Sequence, residues 1–107
     1  MATLETSGSQ TAVIGTEHTL ATLTTAKTFV VTVDTINMAA GDTVELRVYS
    51  TVLVAGTSRV VYYGAYQHAQ GSPIKVSVPV VSHTEWHATL KQTAGTGRVF
   101  PWNVLSA

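Results

Sequence analysis

Thr84-Glu85-Trp86-His87-Ala88-Thr89-Leu90-Lys91-Gln92 decides the fold class. Trp86, Ala88 and Leu90 alternate with Glu85, His87, Thr89 and Lys91. Successive side chains of a strand point to opposite faces, so this stretch reads as a β-strand with an apolar inner face and a polar outer face. The same alternation recurs on both sides of it. Phe29, Val31 and Val33 share a face of Thr28–Asp34, and Val44, Leu46 and Val48 oppose Glu45, Arg47 and Tyr49 within 43–54.

Four further segments read as strands. His18–Thr24 is anchored by Leu20 and Leu23. Ser58–Gln67 has Val61, Tyr63 and Ala65 on one face and Val60, Tyr62 and Tyr66 on the other, which predicts a strand covered on both sides. Ile74–Val80 alternates Ile74, Val76 and Val78 against Lys75 and Ser77, with Pro79 marking a strand end or sheet edge. Arg98–Leu105 is interrupted by Pro101. Turn chemistry separates them at Ala40-Gly41-Asp42, Ala55-Gly56-Thr57, Gly71-Ser72-Pro73 and Thr93–Gly97. Residues 1–16 are rich in Ser, Thr and Gly around Ala12-Val13-Ile14. They read as an extended N-terminal arm, disordered alone or laid along a neighbour, ahead of a single domain over 17–107. Seven or eight short strands with no helical stripe define an all-β chain, a single antiparallel β-sandwich or small barrel.

Composition agrees. Thr and Val, both β-branched, supply about a third of the 107 residues. Charged residues make up 11%, against roughly 25% in an average protein. Six basic and six acidic side chains cancel, which argues against a nucleic-acid partner and against an electrostatic membrane-surface partner. Sparse charge gives copies little mutual repulsion and suggests a surface partly covered by other subunits. There is no cysteine. The first ten residues lack the basic and apolar regions of a secretory signal, and no run has the length of a membrane helix, so synthesis and solubility in the cytoplasm are expected.

Chemistry-bearing patterns are few. His83, Glu85 and His87 have the every-second-residue spacing that lines side chains along one strand face. Two imidazoles and a carboxylate so placed form a weak candidate for zinc or another divalent ion. Asp34, Asp42, Glu45 and Glu85 form no acid pair in sequence, and Asp34 and Asp42 suit turns. No Gly-x-Ser-x-Gly elbow occurs, and Gly95-Thr96-Gly97 lacks a phosphate-binding lysine. No catalytic residue and no cofactor are therefore assigned. The aromatic residues are divided. Tyr63 and Trp86 are expected in the core. Tyr62, Tyr66, Phe100 and Trp102, with Val13 and Ile14 of the arm, are the candidate interface residues, and Phe100-Pro101-Trp102 either closes the sandwich or docks on a neighbour.

Three stretches resemble small virion proteins of tailed bacteriophages: Leu23–Phe29, Gly41–Arg47, and Leu90–Trp102, which reads LKQTAGTGRVFPW. They look like the small β-sandwich subunits that decorate or cement phage heads, a resemblance spanning most of residues 20 to 105 and carried by strand and turn sequences. It implies a jelly-roll-like fold, no enzymatic activity and a place on the capsid exterior of the virion. The implied partners are the major capsid protein and further copies, as a dimer or trimer. A carbohydrate-binding or tail-associated adhesion module is the competing expectation, with Tyr62, Tyr66 or Trp102 as a stacking platform.

Overall fold

The computed structural model describes residues 2–53, 55–82 and 84–106. Nine strands and no helix occur among them: β1 (Thr3–Thr11), β2 (Glu17–Leu23), β3 (Thr28–Asp34), β4 (Thr43–Ser50), β5 (Arg59–Gln67), β6 (Ile74–Val76), β7 (Val80–Val81), β8 (Trp86–Ala94) and β9 (Val99–Ser106). They form two antiparallel sheets packed together. One runs β1-β9-β3-β6, with β7 also on β3, and the other runs β2-β8-β4-β5. The chain passes between sheets at almost every connection, so each sheet is completed only by distant segments.

Alternation explains the core. Phe29, Val31, Val33, Phe100 and Val104 from the first sheet meet Val44, Leu46, Val48, Trp86, Ala88 and Leu90 from the second, each at most 2% exposed. Trp86 and Phe29 lie tilted with ring centroids 5.3 Å apart, an aromatic contact between inner strands of the two sheets, near the strand ends where Ser50 and Ser106 pair with them. Apolar burial of this kind is the dominant favourable term in folding.

Three expectations are corrected. Residues 3–11 are not a free arm. They form β1, an edge strand paired with β9 from Thr3↔Ser106 to Thr11↔Val99. Their polar composition fits an edge position, where neither face is fully buried. Ile74–Val80 is not one strand. β6 ends at Val76, and Ser77 accepts a hydrogen bond from Val31 N–H and donates its own N–H to Val31 O. Along β6, Ile74 and Val76 face outward, whereas Lys75 points inward with Nζ 4.9 Å from the Tyr66 ring centroid. Finally, β5 is an edge strand open on its outer face, not one covered on both sides, and Tyr63 lies on that open face at 47% exposure instead of in the core.

A polar clasp ties the connections together. Asp42, 1% exposed, accepts bonds from Ala39 N–H at 2.9 Å, Thr96 N–H at 3.1 Å and Arg98 Nε at 2.8 Å. Burial pushes its carboxyl upward, but the bonds from Ala39, Arg98 and Thr96 outweigh it and hold the group below the ordinary aspartate range. Beside it, the fully buried Gln92 donates to Thr96 O and Ala94 O and accepts from Arg98 N–H, closing the β8–β9 turn. Gly95 is needed twice over: its φ is 91°, and a Cβ there would collide with Asp42.

Two outcomes follow from the clasp. Asp42→Ala should lower unfolding free energy by about 3 kcal/mol in urea at neutral pH, since it strands buried donors. The folded carboxyl titrates below its unfolded value, so its contribution is full above the ordinary aspartate range and disappears as pH falls through the depressed value. The gap between the native chain and the variant should therefore close only in strong acid. Gly95→Ala should destabilise by more than the ~1 kcal/mol typical of positive-φ strain, because Asp42 must also move.

Candidate functional site

The two outer faces of the sandwich differ in chemistry. On the second sheet, the row Glu17, Lys91, Glu45 alternates in charge across β2, β8 and β4. Glu17 accepts bonds from Thr89 Oγ1 at 2.5 Å and Tyr49 O–H at 2.6 Å, and these hold its carboxyl below the usual range against the opposing effect of burial. Glu45 accepts from Tyr63 O–H at 2.9 Å and pairs with Arg47 at 2.9 Å, which hold it low in the same way. Arg47 also lies 4.8 Å from the Tyr63 ring centroid, and Tyr49 stacks on His87 at 4.5 Å. The polar and aromatic groups of this face are thus engaged mainly with one another.

The first sheet presents a different surface. Its outward positions run Leu4, Leu105 and Val30 in one row and Ser7, Asn103, Thr32 and Val76 in the next. Val99, Ile74 and Val81 extend it at 42%, 52% and 72% exposure. Asp34 is the one acidic or basic residue among these outward positions, and its Oδ1 accepts a bond from Ile36 N–H in the following turn. A shallow hollow of about 310 Å³ lies in this face, and Asp34 and Trp102 help line it beside Leu4, Ser7, Ile74 and Asn103. A face with a single charge, on which exposed Leu, Ile and Val side chains lie among Ser, Thr and Asn, suits a protein contact better than free solvent.

The candidate interface residues disperse. Val13 and Ile14 are exposed at 58% and 41%, in the turn between β1 and β2 that His18 braces by accepting from Val13 N–H. Phe100 is 0% exposed and belongs to the core, so of its two expected roles it closes the sandwich. Trp102 is half-buried and packs over Gly8, where a Cβ would stand 3.1 Å from the indole. Tyr62 and Tyr66 turn inward against the core, hydroxyls 3.3 Å apart over Gly64. Inward strand parity leaves Tyr62, Tyr66 and Trp102 partly buried against the core, and Trp102 also lines the hollow. The apolar outer face escaped sequence reading because Ile74 and Val76 have the same spacing whether they face in or out.

The metal candidate is described only for Glu85 and His87. His83 lies outside the described residues. Glu85 Oε1 is 3.1 Å from His87 Nδ1 and accepts from Ser58 Oγ at 2.9 Å. Among the described residues, no group of three or more His, Cys, Asp or Glu side chains is placed to hold a metal ion. No helix is long and apolar enough to cross a membrane among them.

No family model matches the chain, and neither a curated protein nor a solved structure does.

One titration reports on the inward tyrosines. Burial first, and then the Tyr62 hydroxyl, push the Tyr66 phenol from 10.0 up to about 12. Between those values the unfolded chain has released a proton that the folded chain keeps, so stability should fall as pH rises across that window. The Tyr49 and Tyr63 phenols are also raised, by their hydrogen bonds to the Glu17 and Glu45 carboxylates, so phenolate absorbance of the native chain should show several late-titrating tyrosines, and Tyr66→Phe should remove one of them.

Proposed function

We propose that this protein is a non-enzymatic virion component, a capsid decoration or cement protein that binds the outside of a shell of major capsid protein. The observation that carries this reading is the outer face of the β1-β9-β3-β6 sheet, which exposes Leu4, Ile74, Val76, Val81 and Val99 and holds one charged residue. The sheet orders β1-β9-β3-β6 and β2-β8-β4-β5 support a jelly-roll assignment, because folding one long antiparallel hairpin across two sheets produces this order. The resemblance of Leu23–Phe29, Gly41–Arg47 and Leu90–Trp102 to phage head-decoration subunits points the same way.

The physical task is preferential binding. A subunit that binds the assembled shell and not its dissociated parts stabilises the shell by mass action. Several modest contacts made by one oligomer reinforce one another, because after the first each is intramolecular. A sandwich with one apolar face toward the shell and one polar face toward solvent meets both requirements.

The test is addition of purified protein to undecorated shells of the corresponding phage. Saturable binding and a higher melting temperature of the decorated shell are expected. Leu4→Asp and Val76→Asp together should abolish binding while leaving the fold intact, since both side chains are more than half exposed. Absence of binding by the native chain, or unimpaired binding by the double variant, would sink the reading.

A further inference from the structure

Each sheet edge exposes backbone N–H and C=O groups that a further strand can complete, and folded proteins usually obstruct such edges. Three of the four edges here are obstructed or weakly adhesive. β6 is three residues long, follows Pro73 and carries Lys75. β2 opens with Glu17 and His18 and has a register shift between Thr19 and Ala21. β1 has a register shift at Glu5, and beyond it Thr6–Thr11 offers polar side chains and a glycine with no apolar surface.

β5 is different. Its register shift falls near its start, at Val61, so Tyr62–Gln67 runs regularly along β4. That run contains no charge and no proline, and it carries Tyr62, Tyr63 and Tyr66. Its second edge pairs with no strand among the described residues. Unpaired main-chain groups along a regular strand call for another strand, and side chains select which one.

We infer that β5 pairs with β5 of a second copy, antiparallel, about a two-fold axis at Gly64. Antiparallel pairing about such an axis sets positions equally distant from Gly64 opposite one another. Tyr62 then faces Tyr66 of the second copy on the inner side. Tyr63 faces Ala65, and Val61 faces Gln67. No charge meets a charge in this register, and each inner pair joins two aromatic rings, a favourable cross-strand combination. The cations beside the run already rest on its rings, Arg47 on Tyr63 and Lys75 on Tyr66. Gly64 suits the axis: it has no side chain, and the Tyr66 and Tyr62 hydroxyls fill its Cβ space, 2.8 and 3.0 Å from where that atom would stand. The two four-stranded sheets become one continuous sheet of eight, and the interface is isologous, as expected of a closed dimer. This deepens the oligomeric reading given above but does not rest on shell binding.

The test needs no shell, so its failure is separate from failure of the shell-binding reading. Sedimentation equilibrium of the native chain should give twice 11.3 kDa. Val61 and Gln67 are exposed and face each other only across the dimer. Val61→Lys with Gln67→Lys sets like charges opposite each other at two places, whereas Val61→Lys with Gln67→Glu sets opposite charges there. The first pair should dimerise about tenfold or more weakly than the second. Near-ultraviolet circular dichroism of the buried Trp86 checks that both variants fold. A native chain that stays monomeric at sub-millimolar concentration, or equal dimerisation of the two folded variants, overturns the inference.

Discussion

The tilted contact between Phe29 and Trp86 is the interaction on which the rest of the molecule depends. Each ring belongs to a different sheet, and neither sheet has a buried face without the other. Remove the interlock of the two apolar layers and the strands remain amphipathic ribbons with nothing to pack on. The Asp42 clasp is secondary to that interlock. It fixes how the connections meet once the layers have closed, and its own bonds form only because the β4 start and the β8–β9 turn have already been brought together.

Closing the layers leaves two outer surfaces whose character is set by strand parity. On the β2-β8-β4-β5 sheet, outward positions hold Glu17 bonded to Tyr49 and Glu45 paired with Arg47, with Lys91 in register between the two carboxylates. On the other sheet they hold Leu4, Val30, Val76 and Leu105. The sparse charge of the chain is therefore concentrated, and one broad surface carries almost none of it. That unevenness, more than the low total, favours association over a solitary life in solution.

Much of this was legible in the residues. Phe29/Val31/Val33, Val44/Leu46/Val48 and Trp86/Ala88/Leu90 occupy the inner faces that their alternation predicts, and the two-sheet architecture follows from them. The failures share a cause. A period of two says that side chains alternate, not which set faces the core. For Ile74 and Lys75 the decision is made by the Tyr66 ring, which receives the lysine across the gap between sheets and leaves isoleucine outside. For β1 the decision is made by β9, whose free edge recruits a strand too polar to announce itself. Neither partner is near in sequence. The outer apolar face was hidden for the same reason, since it is assembled from β1, β3, β6 and β9 and is contiguous only after folding.

The place of β9 bears on how the chain is made. It lies between β1 and β3, so β1 has no neighbour in that sheet until β9 is made, whereas β3 already has β6 and β7 to pair with. During synthesis the ribosome releases Val99–Ser106 after the other eight strands, and until then that sheet lacks the strand that joins β1 to β3. Nascent chains carrying Phe29 and Trp86 must hold these rings without their finished enclosure, a state exposed to chaperones and to one another. A sequence with few charges lengthens the hazard of that interval, and completion of the final strand ends it at a single step.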